Sequence, residues 1–279
     1  LTVNGVSQIV TIAPFKAPHA FQALGGIAVL ADHTYAAIKG REKLKTQWGT
    51  SEHDTYDSDG YRDELMATVE KEGVVVRQKG DYKEAVKGLK IHSASYYAPH
   101  LLHQPMEPPV ATADFKDGRC IVWAPTQNPQ AAQDVVAAAL KIPASQVTVH
   151  VTLLGGGFGR KSKPDYVAEA ALLSQKVGRP VQVVWTREDD IQHDYFHSVA
   201  ALKLEAGLDK NGYPEAWRMR TAFPSISSTF AKGVVQASAG EMGMGFSDLP
   251  FDLPHILCEN GPASAHVRIG WLRSVANIQ

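Results

Sequence analysis

The stretch Leu-Gly-Gly-Gly-Phe-Gly-Arg-Lys at residues 154–161 has four glycines within five positions and carries most of the information about the fold. An alternating apolar run at residues 147–153 precedes it and predicts a strand, whereas residues 165–177 predict a helix that Gly178 ends. The glycines therefore mark a junction between a strand and a helix. Backbone N–H groups at such a junction can bind an anion, and a main chain without Cβ atoms can approach a ligand closely.

Two familiar phosphate-binding patterns do not fit this stretch. A dinucleotide-binding loop reads G-x-G-x-x-G, and counted from Gly155 its last glycine position holds Arg160. A P-loop has glycine directly before Lys-Ser, and here Arg160 precedes Lys161 and Ser162. The residues alone leave two interpretations open, an anion-binding loop of another kind or a simple glycine-rich bend.

Helices, strands and hairpins alternate on both sides of the glycine stretch. Upstream, residues 111–115 and 119–124 flank a Lys-Asp-Gly turn and predict a hairpin, after which Asn128 and Pro129 open a helix. Other strands are predicted at residues 3–15, 27–32, 46–48, 74–77, 91–97, 181–185, 199–208 and 216–221, and other helices at 33–45 and 62–71. Residues 223–262 predict no clear element. This mixture predicts an α+β fold with mixed sheets and packed helices.

The composition excludes several classes of function. The 279 residues include 28 Lys and Arg against 29 Asp and Glu, so no basic surplus exists for binding nucleic acid. No apolar run in the sequence approaches the roughly 20 residues of a membrane-spanning helix. Cys120 and Cys258 are too few for a disulfide framework or an iron–sulfur site, and both are predicted to be small buried residues.

A second polar motif, Thr-Gln-Asn-Pro at residues 126–129, follows the predicted hairpin. Gln127 would present an amide donor and an amide acceptor at the end of a strand. The alternative is an ordinary helix start with Asn128 as the N-cap. Taken by themselves, these four residues favour the helix start.

The histidines raise the question of a metal site. His193 and His197 have the spacing of a zinc-protease pair, but that chemistry requires both on one helix face, and the flanking sequence supports a helix weakly. His100 and His103 share a proline-rich loop with Glu107, where hydrogen bonding within a packed loop is the favoured interpretation over metal binding. A zinc hydrolase is therefore kept only as an alternative.

Taken in order, these motifs resemble the molybdenum-binding subunit of the xanthine oxidase family. The motifs that carry the resemblance are Thr-Gln-Asn-Pro at 126–129, the glycine stretch at 154–161, Gly-Arg-Pro-Val at 178–181, Thr-Arg-Glu-Asp at 186–189, Asp-Leu-Pro-Phe-Asp-Leu-Pro at 248–254 and Gly-Trp-Leu-Arg at 270–273. The match runs from about Gly80 to Gln279. Arg160 and residues 193–195 are most similar to isoquinoline 1-oxidoreductase β subunits and bacterial molybdopterin aldehyde dehydrogenases.

The resemblance implies an enzyme. Members of this family oxidise an N-heteroaromatic ring or an aldehyde with water as the oxygen source, and they use a molybdopterin cofactor, commonly the cytosine dinucleotide form in bacteria. Electrons leave through iron–sulfur clusters on a small partner subunit, and a cytochrome c is a candidate for the acceptor that follows it. Relatives of this kind are often exported through the twin-arginine route. We therefore expect a periplasmic protein, or one on the periplasmic face of a membrane, with the cytoplasm as the alternative.

The resemblance also implies a cofactor site. Gln127 is similar to the glutamine beside the molybdenum oxo ligand, and Arg273 resembles a pocket arginine whose guanidinium is expected to be buried against an anionic or carbonyl partner. No residue of the chain is expected to ligate the metal directly. The cofactor-binding residues implied in this way are Gln127, Gly156, Gly157, Phe158, Gly159, Arg160 and Arg273.

Two departures from the family pattern affect the expected activity. Ser162 stands where xanthine-type enzymes have a glutamate that orients purines, so xanthine is a poor candidate substrate. The family's general base is a glutamate in a Gly-x-Gly-Glu stretch, which we expect beyond Gln279. The chain starts at Leu1 and is expected to be a fragment that is inactive alone. A non-catalytic binding or assembly module of the same fold is the alternative function.

The resemblance divides the chain into three parts. Residues 1–55 are expected to be the end of a hammerhead-type α/β domain, and residues 56–90 a connecting segment. Residues 91–279 are expected to be the N-terminal part of the molybdopterin-binding domain. A Lys-Gly-Asp turn at residues 79–81 is the candidate boundary in the sequence.

Overall fold

Strands and helices follow one another along the chain in the computed structural model, which describes residues 3–243, 245–273 and 275. The strands of this described part are β1 (Val6–Ile12), β2 (Gly26–Ala31), β3 (Val74–Lys79), β4 (Lys90–Ala98), β5 (Val110–Lys116), β6 (Arg119–Ala124), β7 (Val147–Val151), β8 (Val181–Val184), β9 (Ala200–Leu208), β10 (Pro214–Ala222) and β11 (His255–Gly261). Its α-helices are α1 (Thr34–Glu42), α2 (Ser58–Val69), α3 (Tyr82–Ala85), α4 (Pro129–Leu140), α5 (Asp165–Val177), α6 (Arg187–Gln192) and α7 (Ala239–Met242). The chain forms two compact units, one of Leu1–Ser51 and His103–Asp194, the other of Glu52–Leu102 and Tyr195–Gln279.

The first unit is built on a four-stranded sheet with the order β7-β6-β5-β8, in which β6 and β7 are parallel and the other pairs are antiparallel. Burial alternates along β6, where Cys120, Val122 and Ala124 are fully buried. These side chains share one core with Val136 of α4 and Val167 of α5. The two helices therefore cover one face of the sheet.

Local sequence sets the ends of these two helices. Asn128 caps α4 by accepting a hydrogen bond from the Ala131 N–H at 3.1 Å, and Pro129 occupies the first helical position. Helix α5 ends at Val177, and its C-cap is Gly178, whose φ of 67° lies in the left-handed region. Both predicted signals are confirmed. The antiparallel pair β1–β2 packs on α5 of the same unit.

The second unit is built on a five-stranded sheet with the order β3-β11-β10-β9-β4, in which β10 and β11 are parallel. Tyr61 and Leu65 of α2 are buried against Val199 and Ala222. The predicted turn between β9 and β10 is confirmed, with Gly212 at a φ of 85°. Mixed sheets with helices packed on them make the fold α+β, as predicted.

Several local features differ from the prediction, among them the short helix α3. Residues 46–48 form no strand, because Trp48 is exposed and no strand pairs with this segment in the described part of the chain. Helix α6 was not predicted, and a capping box between Thr186 and Asp189 begins it. Strand β11 lies within residues 223–262, where its buried polar side chains, which bond to neighbouring groups, obscured the strand pattern.

The predictions about membrane-spanning helices and about domain boundaries have different outcomes. None of the helices within the described residues has both the length and the apolar character that crossing a bilayer requires. The division into residues 1–55, 56–90 and 91–279 stays a prediction, because compact units are defined by contacts in space and need not follow family boundaries.

Candidate functional site

The glycine stretch connects β7, which ends at Val151, to α5, which begins at Asp165. Gly156 and Gly159 have φ angles of 92° and 106°, and Phe158 has a φ of 52° in the same left-handed region. Glycine adopts such angles freely, whereas an aromatic residue there is uncommon. The predicted strand–glycine–helix junction is confirmed, and it is a tightly folded loop rather than a single turn.

Gln127 lies against this loop. Its Oε1 accepts a hydrogen bond from the Gly159 N–H at 3.0 Å, and its backbone N–H donates to the Lys161 carbonyl at 3.0 Å. The Thr126 hydroxyl donates to the same carbonyl at 3.0 Å. The structure therefore brings together the two motifs on which the resemblance depends.

Gly157 shows why the loop lacks a side chain at this point. A Cβ added there would lie 2.3 Å from Oε1 and 2.6 Å from Cδ of Gln127. Non-bonded atoms do not approach so closely, so an alanine would force Gln127 or the loop to move. The φ of Gly157 is outside the left-handed region, so glycine is required here by the neighbouring side chain and not by the backbone angle.

Three consecutive N–H groups of the loop, at Gly156, Gly157 and Phe158, donate to no acceptor among the described residues. Gly157 is buried, and a buried N–H without an acceptor costs free energy. The Nε2 group of Gln127 also donates to no described residue. Neutral donors on one loop suit anionic oxygen atoms, so this donor set fits a negatively charged cofactor.

The Arg160 side chain is fully buried and is bound by carboxylates. Its guanidinium donates two hydrogen bonds to Asp165, at 2.9 and 3.1 Å, and its Nε lies 3.4 Å from Asp194 Oδ1. The same group lies over the Trp185 ring, 5.0 Å from its centroid. The Arg160 side chain therefore faces no ligand, and it fixes the end of the loop to α5.

The next residue, Lys161, is also fully buried and forms an ion pair with Glu107. Glu107 Oε2 accepts a further hydrogen bond from the Gly155 N–H at 3.0 Å. Burial lowers the pKa of Lys161, and the hydrogen bond to Glu107 partly opposes that shift. The sequence did not reveal this pair, because its members lie 54 positions apart and no local pattern connects them.

The zinc-hydrolase alternative is wrong. Helix α6 ends at Gln192 and His193 is its C-cap, so His193 and His197 do not share a helix face. His197 Nε2 lies 3.1 Å from the carbonyl oxygen of Val275. Across residues 3–243, 245–273 and 275, no cluster of three or more His, Cys, Asp or Glu side chains could hold a metal ion.

The predictions for His100, His103 and the two cysteines are confirmed. His100 Nδ1 lies 2.8 Å from a backbone carbonyl oxygen, and His103 Nδ1 lies 2.9 Å from a buried carboxylate oxygen. Cys120 and Cys258 are fully buried. Burial raises the pKa of each thiol to about 11, so neither thiol is a nucleophile at neutral pH.

The exposure of Arg273 differs from the prediction. It is an exposed residue of the second unit, so the prediction of a buried guanidinium is wrong. It lies in a turn, and nearby Trp271 stacks on Phe230 at a centroid distance of 6.4 Å. Its role toward a cofactor stays a prediction.

Comparison with known families shows which domain family contains this glycine loop. The sequence profile of the molybdopterin cofactor-binding domain matches residues 67–261, more than half of the chain. The chain belongs to the molybdopterin cofactor-binding domain family. The resemblance to the molybdenum-binding subunit of the xanthine oxidase family is confirmed by this match together with the relatives below.

The curated relatives of this chain are longer proteins, and two of them are subunits of enzymes. The beta subunit of isoquinoline 1-oxidoreductase from Brevundimonas diminuta is 29% identical over 194 residues, which are 66% of this chain and 25% of the relative. A nicotinate dehydrogenase subunit of Pseudomonas putida is 28% identical over 90% of this chain and 22% of the relative. The chain thus spans about a quarter of the length of these curated relatives.

A solved structure shares the fold of the domain family. The aldehyde oxidoreductase from Desulfovibrio gigas matches with a TM-score of 0.70 and 18% identity, over 99% of this chain and 34% of that chain. This likeness confirms the predicted α+β fold of a molybdopterin-binding domain. At this level of identity it speaks for the fold alone.

Proposed function

We propose that this chain is part of a molybdopterin-dependent oxidoreductase that hydroxylates an N-heteroaromatic ring or an aldehyde, with water as the oxygen source. The observation that carries the proposal is the contact of Gln127 with the glycine loop, beside N–H groups that have no acceptor among the described residues. The names of the relatives, which refer to isoquinoline, nicotinate and aldehydes, support these two substrate classes.

The chain's own residues would bind the cofactor without ligating the metal. Gln127 Nε2 would donate a hydrogen bond to an oxygen of the cofactor, and the N–H groups of Gly157 and Phe158 would bind its anionic groups. Arg160 and Lys161, both held in buried ion pairs, would keep the loop in this conformation. Bound molybdopterin would supply the molybdenum centre that takes two electrons from the substrate.

The rest of the enzyme is part of the same proposal. The general-base glutamate would lie in a part of the polypeptide outside these residues, and iron–sulfur clusters of a partner subunit would receive the electrons. A cytochrome c would accept them in turn. The cofactor would be the cytosine dinucleotide form, and the enzyme would work in the periplasm or at its membrane face. Ser162, in the place of a purine-orienting glutamate, argues against xanthine as the substrate.

The test is a cofactor analysis of the full-length protein purified with its partner from its own host. Molybdenum, iron and the nucleotide released from the pterin are measured per polypeptide. Turnover is then assayed with isoquinoline, nicotinate and an aliphatic aldehyde in ¹⁸O-labelled water, with an artificial electron acceptor. We expect molybdenum, cytidine monophosphate and labelled product from at least one substrate. Protein without molybdenum would instead be a non-catalytic binding or assembly module, and unlabelled product would contradict the hydroxylation.

Cell fractionation tests the proposed compartment separately. We expect the full-length protein to be released with periplasmic markers or to remain with membranes that face the periplasm. Recovery with cytoplasmic markers alone would contradict that part of the proposal and leave the cofactor chemistry untouched.

A further inference from the structure

Glu107 bridges the two ends of the glycine loop. Its Oε2 accepts a hydrogen bond from the Gly155 N–H at 3.0 Å at the first end and forms an ion pair with Lys161 at the last. Its own backbone N–H donates to the Gly155 carbonyl at 3.0 Å. One residue of the proline-rich loop therefore binds both ends of the loop that Gln127 contacts in between.

Gly155 gives an independent sign of this close approach. A Cβ added there would lie 2.5 Å from the Cβ of Glu107, which is far inside van der Waals contact. The φ of Gly155 is outside the left-handed region, so its backbone would accept other residues. Glycine is needed at Gly155 because of Glu107, as it is needed at Gly157 because of Gln127. The loop is thus packed against one polar side chain on each of two elements.

The buried charge makes this contact strong. The Lys161 side chain is fully buried, whereas that of Glu107 is 35% exposed. A buried ammonium without a counter-charge is strongly unfavourable, so loss of the Glu107 carboxylate would force Lys161 to lose its proton or to move. The Lys161 carbonyl in turn accepts the hydrogen bonds from Thr126 and Gln127. The position of Gln127 therefore depends on Glu107 through Lys161.

We propose that Glu107 is a positioning residue that holds the glycine loop and Gln127 in the geometry that binds the cofactor. Glu107 acts through Gly155 and Lys161 and does not itself touch the cofactor. This inference rests on the proposed function, because it names the residue that maintains the same site.

The test compares full-length wild-type protein with Glu107→Ala, Glu107→Gln and Lys161→Met, each purified with its partner from the host. Molybdenum and pterin per polypeptide, the rate of molybdenum release after dilution, and the Tm are measured. Glu107→Ala is expected to release molybdenum about tenfold faster, which corresponds to about 1.4 kcal/mol. Glu107→Gln is expected to be intermediate, because its amide oxygen still accepts the Gly155 N–H but no longer balances the Lys161 charge.

A double variant separates the ion pair from the rest of the contact. Because either substitution already breaks the pair, the release rate of Glu107→Gln/Lys161→Met is expected to be no faster than that of the faster single variant. Additive effects of the two substitutions would overturn the proposed coupling of Glu107 to the loop through Lys161. Glu107→Gln keeps the test decisive if Glu107→Ala does not fold.

The control is Glu84→Gln, which breaks an exposed carboxylate–lysine pair with Lys87 in the second unit. It is expected to leave molybdenum release unchanged. A purely structural role predicts that release rises only as the Tm falls. A positioning role predicts that Glu107→Gln alters the Mo(V) EPR line shape and releases molybdenum faster than its fall in Tm accounts for.

Two negative results have different meanings. Release and EPR spectra in both Glu107 variants that equal those of the wild type would overturn this inference and leave the proposed function standing. A wild-type protein that holds no molybdopterin would overturn both.

Discussion

Two connections of this molecule, the loop after β7 and the turn between β9 and β10, need glycine for different reasons. At Gly212 in the turn, φ is 85° and an added Cβ would meet nothing within 4 Å. At Gly157 in the loop, φ is unexceptional and an added Cβ would lie 2.3 Å from Gln127 Oε1. The turn needs Gly212 for its own backbone, whereas the loop needs glycine at position 157 because of a neighbour. A glycine of the second kind records a close approach of a neighbouring residue, which chain reversal does not require.

The two connections also differ in what holds them. Asp209 Oδ1 holds the turn by accepting hydrogen bonds from the N–H groups of Asn211 and Tyr213, both at 2.8 Å. Its partners are all local, so the turn can form from its own sequence. The loop is held by buried ion pairs of Arg160 and Lys161 with residues from other elements. Its conformation therefore depends on the folded unit around it.

The largest expected effect is that of Arg160→Met, which removes the charge that anchors the loop. Asp165 would lose the guanidinium that faces it, whereas Asp194 would keep its hydrogen bonds with His103, and breaking a buried ion pair in this way costs about 3–5 kcal/mol. Differential scanning calorimetry of the protein should show a clearly lower Tm.

The comparison variant for that experiment is Arg62→Met, which removes an exposed arginine paired with Asp59 and Asp63. Its Tm is expected to equal that of the wild type, because exposed pairs contribute little. Equal Tm values for Arg160→Met and Arg62→Met would contradict the view that buried charge anchors the loop.

The next effect is that of Gly157→Ala, which places a methyl group against Gln127. Overpacking of this kind costs about 1–3 kcal/mol of stability. We also expect the molybdenum content of the full-length protein to fall about tenfold, because displacement of Gln127 and the loop weakens binding by at least about 1.4 kcal/mol. Elemental analysis measures the loss of molybdenum and calorimetry measures the loss of stability, so the two effects can be separated.

A smaller effect is expected for Gly212→Ala. Only the left-handed backbone angle is disturbed, which costs about 1–2 kcal/mol, and no neighbour is displaced. Molybdenum content per folded polypeptide should equal that of the wild type. If Gly212→Ala and Gly157→Ala lowered the cofactor content equally, the distinction between the two kinds of glycine would fail.

The last effect is absent at neutral pH, and in it the two units should behave alike. Burial raises the pKa of Cys120 and of Cys258 from an ordinary value of 9.0 to about 11. The folded state therefore keeps both thiols protonated where the unfolded state has lost the protons, so this contribution to stability is complete below pH 9 and is lost between pH 9 and about 11.

Urea unfolding of wild type and of Cys120→Ala and Cys258→Ala between pH 8 and about 11 measures this contribution. Each variant is expected to show a shallower fall of stability with pH than the wild type. A fall of the same slope in all three proteins would show that the thiols are not responsible.

The sequence predicted what depends on neighbours along the chain. The strand–glycine–helix junction, the Asn128 cap and the Gly178 helix stop are local signals, and the structure contains all of them. Gln127 and the glycine loop were predicted as parts of one cofactor site only through resemblance to a family, and the structure shows their contact. The residues of the Thr-Gln-Asn-Pro motif alone favoured a plain helix start.

The sequence could not predict what depends on packing between distant segments. The pairing of Glu107 with Lys161, and of Arg160 with Asp194, follows from the way the sheet and helices bring separate loops together. The stacking of Trp271 on Phe230, 41 positions earlier, is a contact of the same kind. Such contacts leave no periodic signal in the chain.

The central claim is that the glycine loop and Gln127 together bind molybdopterin. Structure determination of the full-length protein loaded with its cofactor and bound to its partner tests this most directly. The account predicts that Gln127 Nε2 and the N–H groups of Gly157 and Phe158 lie within hydrogen-bond distance, about 3 Å, of cofactor atoms. A cofactor bound elsewhere, with these donors facing only solvent or protein, would contradict the account.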